Sequence, residues 1–259
     1  MNARLVCVCC LWLAGCATVP HAATPTAPTT KLYPPIGTSI HRIVVDAGHG
    51  GHDPGTQHHG LQEKNLNLDI ARRLQAELQS SGWTVVLTRD RDEFVELSQR
   101  AHIANHLPAD LFVSIHVNAN PHRTVQGVEV YYPRQSVVDA RLNLPPHVEA
   151  GEVEPANIVA RHVLWDLVLS QARHQSVSAA QQVCRALRER LQVRCLGVHG
   201  ARFVVLRESW MPAILVEVGY VSNREEASRL ATPDYRQAIA EAIAEGLVSY
   251  AQTAGREAT

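Results

Sequence analysis

The chain has 259 residues, 46% of them hydrophobic, and a formal net charge of -1 from 24 Lys and Arg against 25 Asp and Glu. This length and apolar content suffice for one domain with a sizeable core. The nearly balanced charge predicts no nucleic-acid partner, because there is no excess of basic residues to neutralise phosphates.

The first fifteen residues have the pattern of an export signal. Arg4 supplies a positive charge, and Leu5 to Gly15 form an apolar run too short for a permanent membrane span. The run ends in Leu13-Ala14-Gly15-Cys16, which resembles the bacterial lipobox, whose cysteine is lipidated and becomes the mature N-terminus. An ordinary secretory leader is the alternative. The absence of Asp after Cys16 resembles the pattern that sorts lipoproteins to the outer membrane of Gram-negative bacteria, facing the periplasm.

The predicted leader sets the boundaries of the segments that follow it. We predict a signal peptide at 1–15, a lipid-anchored Cys16 that attaches the chain to the membrane, and a flexible linker through residue 39, rich in Pro, Thr and Ala. A catalytic domain is predicted at 40–255. Its two cysteines, Cys184 and Cys195, are predicted either to pair in an oxidising compartment or to remain buried thiols.

Strands and helices alternate along the first half of the predicted domain. Apolar runs predict strands at Arg42 to Asp46, Trp83 to Thr88, Asp110 to His116 and Gly127 to Tyr132. Apolar residues at helical spacing predict helices over 64–80 and over Leu97 to His106.

The second half begins with an irregular stretch at 134–157 that contains a Pro-Pro pair. Helices are predicted near 157–170 and 176–192, and a closing helix over Asp234 to Ala251. Strands are predicted at Val204 to Leu206 and Ala213 to Val218, and a helix start at Ser222-Asn223-Arg224-Glu225. This order indicates one α/β domain, with a mixed, mostly parallel sheet flanked by helices on both faces.

Two of the predicted strands stop at a histidine followed by small or polar residues. The segments are IVVDAGHGGHDPG, with His49, and LFVSIHVNAN, with His116. Groups just past the carboxyl ends of parallel strands gather in one crevice. With Glu63, just before the first helix, the two imidazoles match a three-ligand zinc site that leaves a position for water. Taken singly, each has a plainer interpretation: a core or loop histidine, or a carboxylate at a helix N-terminus.

A further carboxylate, Glu217, lies in the apolar run PAILVEVGY. Burying a carboxylate is costly unless it is paired or used. We interpret Glu217 as a general base, because an attacking water needs a proton acceptor. A buried salt bridge with Arg202 or Arg207 is the alternative.

Three more residues are candidates for contact with substrate or for support of the site. Asn118 can orient a neighbouring group by hydrogen bonding, and His52 lies in the loop that follows His49. A solvated loop position is the alternative for His52. Arg89, like Arg100, is expected to hold loops and carboxylates more than to act on substrate.

Six segments together resemble the zinc-dependent N-acetylmuramoyl-L-alanine amidases of the amidase-3 type. They are DAGHGGHDPG, EKNLNL, LTRDRDEFVELSQRAHIAN, ADLFVSIHVNA, GVEVYY and PAILVEVGYVSN, and they run from about Ile43 to the final helix. The resemblance implies one Zn²⁺ per chain bound by His49, Glu63 and His116, with Glu217 as the catalytic glutamate. It also implies a phosphorylase/hydrolase-like sheet and cleavage of peptidoglycan between N-acetylmuramic acid and L-alanine.

Other functions and partners stay open at this point. A zinc peptidase acting within the stem peptide is one alternative, and a non-catalytic wall-binding lipoprotein that activates other hydrolases is another. In some members of the family a helix inserted at the place of 134–157 plugs the groove until a protein activator removes it. Glu149, Glu152 or Glu154 would then cap the zinc, although Pro145 and Pro146 disfavour a long helix.

Overall fold

The computed structural model of the chain describes residues 42–134 and 155–257. The predicted signal peptide, Cys16 and the linker lie outside these residues, as does most of 134–157 with its three glutamates. In the part that is described, no helix has the length and apolar content needed to span a membrane.

The described residues form eight strands. They are β1 (Arg42–Ala47), β2 (Gln57–His58), β3 (Leu61–Gln62), β4 (Thr84–Leu87), β5 (Leu111–Asn118), β6 (Val128–Pro133), β7 (Cys195–Ala201) and β8 (Ala213–Tyr220). Strands β2 and β3 form a small hairpin, and the others form one sheet in the order β4-β1-β5-β8-β6-β7. Neighbours are parallel from β4 to β8, whereas β6 is antiparallel to β8 and parallel to β7. The predicted mixed, mostly parallel sheet is confirmed.

Helices of the described residues cover both faces of this sheet. They are α1 (Glu63–Ser80), α2 (Leu97–His106), α3 (Pro155–Leu191), α4 (Val204–Arg207), α5 (Arg224–Leu230) and α6 (Pro233–Glu257). Successive residues of a strand point to opposite faces. Val45 accordingly packs with buried residues of α1, α3 and α6, and Val44 packs with those of α2 and α4.

Three local predictions differ from the structure. The segment Val204 to Leu206 belongs to helix α4, because a short apolar run does not distinguish a strand from a buried helical turn. The two helices predicted at 157–170 and 176–192 are one helix of 37 residues, since no Gly or Pro interrupts it. Strand β7 was not predicted, because an edge strand with two glycines and exposed positions lacks a continuous apolar run.

A disulfide joins helix α3 to edge strand β7. It links Cys184 to Cys195, whose Cα atoms lie 5.9 Å apart. Of the two states that the sequence left open for these cysteines, the structure has the paired one.

Helices α3 and α6 approach each other closely at Gly246. A Cβ atom at this position would lie 2.6 Å from the Cα and 2.9 Å from the backbone nitrogen of Val183. Backbone atoms cannot move aside as the end of a side chain can, so this contact requires glycine.

Gly246→Ala is therefore expected to lower the free energy of unfolding by about 1 to 3 kcal/mol through overpacking. Alanine normally stabilises a helix interior by about 1 kcal/mol relative to glycine, so the sign of the change tests the close contact. Urea denaturation measures it, with Ser249→Ala on the exposed side of α6 as the matched control. A Gly246→Ala protein as stable as wild type would contradict this packing.

Candidate metal centre and active site

Three side chains from different elements meet at the carboxyl end of β1 and β5. His49 lies in the loop after β1, Glu63 begins α1, and His116 lies in β5. Glu63 Oε1 is 3.1 Å from His49 Nε2 and 2.9 Å from His116 Nδ1. One potential ligand atom from each residue lies within 4.8 Å of the other two, so the group can hold a metal ion.

The backbone at His49 has an uncommon conformation that directs its ring into this site. Its φ is +62°, in the left-handed region, and Gly50 and Gly51 follow with positive φ. The ring Nδ1 lies 2.7 Å from Asp53 Oδ2, which leaves Nε2 directed at Glu63. A carboxylate that accepts from the far nitrogen of a histidine fixes the ring for metal binding. The sequence interpretation missed Asp53, although its position four residues after His49 in the same turn was a usable signal.

Glu63 is only 5% exposed and is surrounded by donors. The backbone N–H of Val117 donates to Oε1, and that of Thr56 donates to Oε2. Burial alone would raise the pKa of Glu63, but its hydrogen bonds with His116 and His49 outweigh burial and lower that pKa.

The charge balance of this group favours a cation. Although burial opposes the charged form of His49, Glu63 and Asp53 raise its pKa to about 9. The pKa of His116 is also raised, because its hydrogen bond with Glu63 and the charges of Glu217 and Glu63 outweigh burial. The carboxylates therefore stabilise positive charge at the point where the three donors meet. Two imidazoles and one carboxylate are a common donor set for a catalytic metal with an open coordination position.

Two glycines make the close packing of the three donors sterically feasible. A Cβ on Gly48 would lie 2.3 Å from Cε1 and Nε2 of His116. A Cβ on Gly55 would lie 2.5 Å from Glu63 Oε2 and 2.7 Å from His49 Cδ2. Side chains at these positions would displace the donors, so both glycines fit a site built for a small ion.

Two buried arginines hold the loop that carries His49. Arg100, 2% exposed, pairs with the fully buried Asp46 at 2.8 Å and donates to the carbonyl of His49. Arg89 donates to the carbonyls of Ala47 and Gly48. These contacts fit the loop-holding interpretation of both arginines.

Glu217 lies directly beside His116, since the two residues are paired in the register of β8 and β5. Its Oε2 atom is buried and has no hydrogen-bond partner among the described residues. Burial raises the pKa of Glu217 to about 7, even though His116 acts in the opposite direction. Arg207, one of the two partners considered for it, instead pairs with Glu208 at 3.0 Å. A partly desolvated carboxylate beside a metal site can accept a proton when one of its oxygens has no hydrogen-bond donor among the described residues.

The remaining candidates lie around the site with different contacts. Asn118 donates to Glu129 Oε2 at 3.2 Å, and His52 packs on Phe94 with ring centroids 4.1 Å apart. Glu129 was not a candidate from the sequence. Its signal was its position in the run GVEVYY, where it alternates with buried Val128 and Val130 and so faces the other side of β6.

Comparisons with known proteins agree with one another. The model of the Amidase_3 family, described as N-acetylmuramoyl-L-alanine amidase, matches residues 43–249. The amidase LytC of Bacillus subtilis (strain 168) is 34% identical over 231 residues, and AmiA of Escherichia coli (strain K12) is 31% identical over 217 residues. The solved structure of AmiC2 from Nostoc punctiforme is 35% identical with a TM-score of 0.65.

The coverage of these matches differs. The aligned segments are 89% of this chain for LytC and 80% for AmiA, but they span 39% of LytC and 75% of AmiA. The AmiC2 match covers 82% of this chain and 97% of that structure. The similarity therefore concerns the domain described above.

Asp53→Asn is expected to weaken metal binding by about 10- to 100-fold, because the ring of His49 loses the carboxylate that orients it. Competition with a chromophoric chelator measures the affinity. The matched control is Asp234→Asn, at an exposed position in the first turn of α6. Equal affinities of wild type and Asp53→Asn would contradict the orienting role.

The Asp46–Arg100 pair gives a second prediction, for stability against pH. The charge of Arg100 and hydrogen bonds from Ser114 and Thr88 outweigh burial and lower the pKa of Asp46. The contribution of ionised Asp46 to the free energy of unfolding is complete above the ordinary aspartate pKa of about 3.9. It is lost as the pH falls through the lowered pKa of Asp46 in the folded state.

Asp46→Asn should therefore be much less stable than wild type at neutral pH, and the difference should narrow in acid. Chemical denaturation across the pH range measures this difference. Asp234→Asn serves again as the control and should show a small difference throughout. If the difference in free energy of unfolding between Asp46→Asn and wild type stayed constant down to acid pH, this would argue against an ionised Asp46.

Proposed function

Since the chain belongs to the amidase-3 family of N-acetylmuramoyl-L-alanine amidases, we propose that it hydrolyses the amide between N-acetylmuramic acid and L-alanine in peptidoglycan. The reaction uses one zinc ion held by His49, Glu63 and His116. The observation that carries this proposal is the placement of Glu217 directly beside that three-donor group, with a buried oxygen that has no hydrogen-bond partner in the described part of the chain.

The donors fit zinc better than a harder cation. Magnesium and calcium prefer oxygen ligands, whereas two imidazoles and a carboxylate are a known set for catalytic zinc. Bound there, zinc would activate a water molecule and polarise the carbonyl of the substrate.

The residues of the chain supply the proton transfers and the geometry. Glu217 accepts a proton from the attacking water and delivers it to the amide nitrogen as the C–N bond breaks. A pKa raised to about 7 suits both steps near neutral pH. Asp53 and the arginines that hold residues 47–49 keep His49 in position without contacting the reacting atoms.

Two alternatives remain candidates for the test. A zinc peptidase cutting within the stem peptide would use the same donors, and only its products differ. A non-catalytic activator of other hydrolases would not need the open carboxylate of Glu217 beside the donors.

Location and partners are proposed on the sequence alone. Lipidation at Cys16 would anchor the chain to the outer membrane and present the domain to the wall from the periplasm. A lipoprotein anchor with several acyl chains holds a protein stably, whereas a single chain is marginal. A protein activator that acts through 134–157, and a role in wall remodelling, recycling or daughter-cell separation, belong to the same proposal.

Glu217→Gln is expected to slow amide cleavage by about 10²- to 10⁴-fold, because an amide side chain cannot accept the proton. The assay incubates the protein with purified sacculi and identifies released fragments by mass spectrometry. Intact stem peptides with a free alanine amine, released by wild type, support the amidase, whereas shortened peptides support the peptidase.

Two controls accompany this assay. A chelator should abolish wild-type activity, and added zinc should restore it. Glu217→Gln should bind zinc as tightly as wild type, which separates loss of the base from loss of the metal. A Glu217→Gln protein that lyses sacculi at the normal rate would overturn the mechanism.

A further inference from the structure

The row of residues that contains His116 and Glu217 continues across the sheet to a second carboxylate. His116 pairs with Glu217 in the register of β5 and β8, and Glu217 pairs with Glu129 in that of β8 and β6. Directly opposed residues point to the same face of a sheet, with Cβ atoms about 5 Å apart. The row thus runs from a metal donor, through the proposed base, to Glu129.

Glu129 is held firmly through one of its two oxygens. Its Oε2 accepts hydrogen bonds from the hydroxyl of Tyr220 at 2.6 Å, the hydroxyl of Tyr131 at 3.2 Å and Nδ2 of Asn118 at 3.2 Å. Burial raises the pKa of Tyr131 to about 12 and also raises that of Tyr220, so both hydroxyls remain protonated donors.

Within 42–134 and 155–257, no group donates a hydrogen bond to the other oxygen of Glu129, Oε1. His199 Nε2 lies 3.7 Å from Oε1, which is beyond hydrogen-bond distance, and no Lys or Arg among the described residues forms an ion pair with it. His199 itself is about half exposed, with 46% of its side chain accessible, whereas Glu129 is 14% accessible. A fixed carboxylate with one open oxygen therefore lies next to Glu217.

The proposed reaction places a developing positive charge near this oxygen. Hydrolysis joins the oxygen of water to the carbonyl carbon and breaks the C–N bond, whose electron pair stays on nitrogen. Both protons of the water end on that nitrogen, one of them through Glu217. A neutral amide thus becomes a carboxylate and an ammonium group.

The order of the row sets the direction of the substrate. In the proposed reaction the carbonyl would lie toward the metal donors, and the nitrogen would have to come within reach of Glu217. The alanine and the peptide beyond it then extend past Glu217, over β6.

We propose that Glu129 Oε1 binds the nitrogen of the departing alanine and stabilises its cationic form; this inference rests on the proposed function. The contact is stronger with the ammonium group than with the neutral amide. It therefore favours the late transition state and the product over the bound substrate, which is how binding accelerates a reaction. Glu129 is a substrate-contacting residue in this scheme, while Tyr220, Tyr131 and Asn118 position it.

The test compares two ligands that differ at the alanine nitrogen, one with a charged amine and one with a neutral acetylated nitrogen. L-alanyl-D-isoglutamine carries a free amine, and its N-acetylated form does not. Calorimetry with the full-length, zinc-loaded protein should show about tenfold or greater preference of wild type for the free amine, as expected for hydrogen bonds to charged groups. Glu129→Gln should lose most of this preference and should also lower kcat for sacculi.

Two further measurements distinguish an effect of the charge of Glu129 on ligand binding from an effect on the local structure. Tyr220→Phe removes the shortest hydrogen bond to Glu129 but keeps the carboxylate, so it should retain the preference for the free amine. The preference of wild type should also fade above the amine pKa of about 8, where the ligand loses its charge. Glu208→Gln, which lies away from the row and pairs with Arg207, is the activity control.

The outcomes distinguish this inference from the proposed function. A wild-type protein that releases no free-amine peptide from sacculi contradicts the amidase proposal itself. A wild-type amidase that binds both dipeptides equally contradicts only the role of Glu129, as does a Glu129→Gln protein that keeps the preference. Loss of the preference in Tyr220→Phe to the same extent as in Glu129→Gln would assign Glu129 a structural role instead.

Discussion

The ion pair between Asp46 and Arg100 determines how strand β1 ends and therefore where His49 lies. Both side chains are almost completely buried, and isolated charges in such a place would be strongly destabilising. The cost of desolvating these two charges is offset because nearly every polar atom of Asp46 and Arg100 forms a hydrogen bond. Asp46 also accepts from Thr88 and Ser114, and Arg100 donates its remaining N–H groups to backbone carbonyls, including that of His49. The loop that carries His49 contains three glycines and would otherwise be flexible. The buried charges hold it in one conformation.

The change of strand direction at β6 shapes the rest of the site. Parallel strands β1 and β5 bring His49 and His116 to one edge, and β8 adds Glu217 in the same direction. Strand β6 enters this edge from the opposite direction, so its first residues, not its last, lie next to Glu217. A carboxylate early in β6 consequently joins groups that stand late in the other strands. This arrangement brings together four polar residues that are distant in sequence. They are His49, His116, Glu217 and Glu129.

The parts of the fold that the sequence predicted are those determined locally. Long apolar runs with β-branched residues gave the buried strands, and helical spacing gave α1 and the closing helix within a few residues. The donors His49 and His116 could be proposed because each stands at or near the end of such a run, where strand direction brings them together, and Glu63 because it stands at the start of the first helix. Asp53 and Glu129 escaped notice because their partners are set by a left-handed turn and by an antiparallel register. The antiparallel register is not readable from one chain without knowledge of which strands are neighbours, whereas the spacing of Asp53 from His49 was readable. Edge strand β7 was missed because its two glycines and exposed positions interrupt the apolar run.

The bond between Cys184 and Cys195 has a consequence for where the protein becomes fully assembled. It ties the outermost strand to the longest described helix, at the border of the sheet that carries His199. Disulfides form and persist in oxidising compartments and are rare in the cytosol, where thiols are kept reduced. If the chain is exported as proposed, border strand β7 stays untethered until Cys184 and Cys195 pair outside the cytosol.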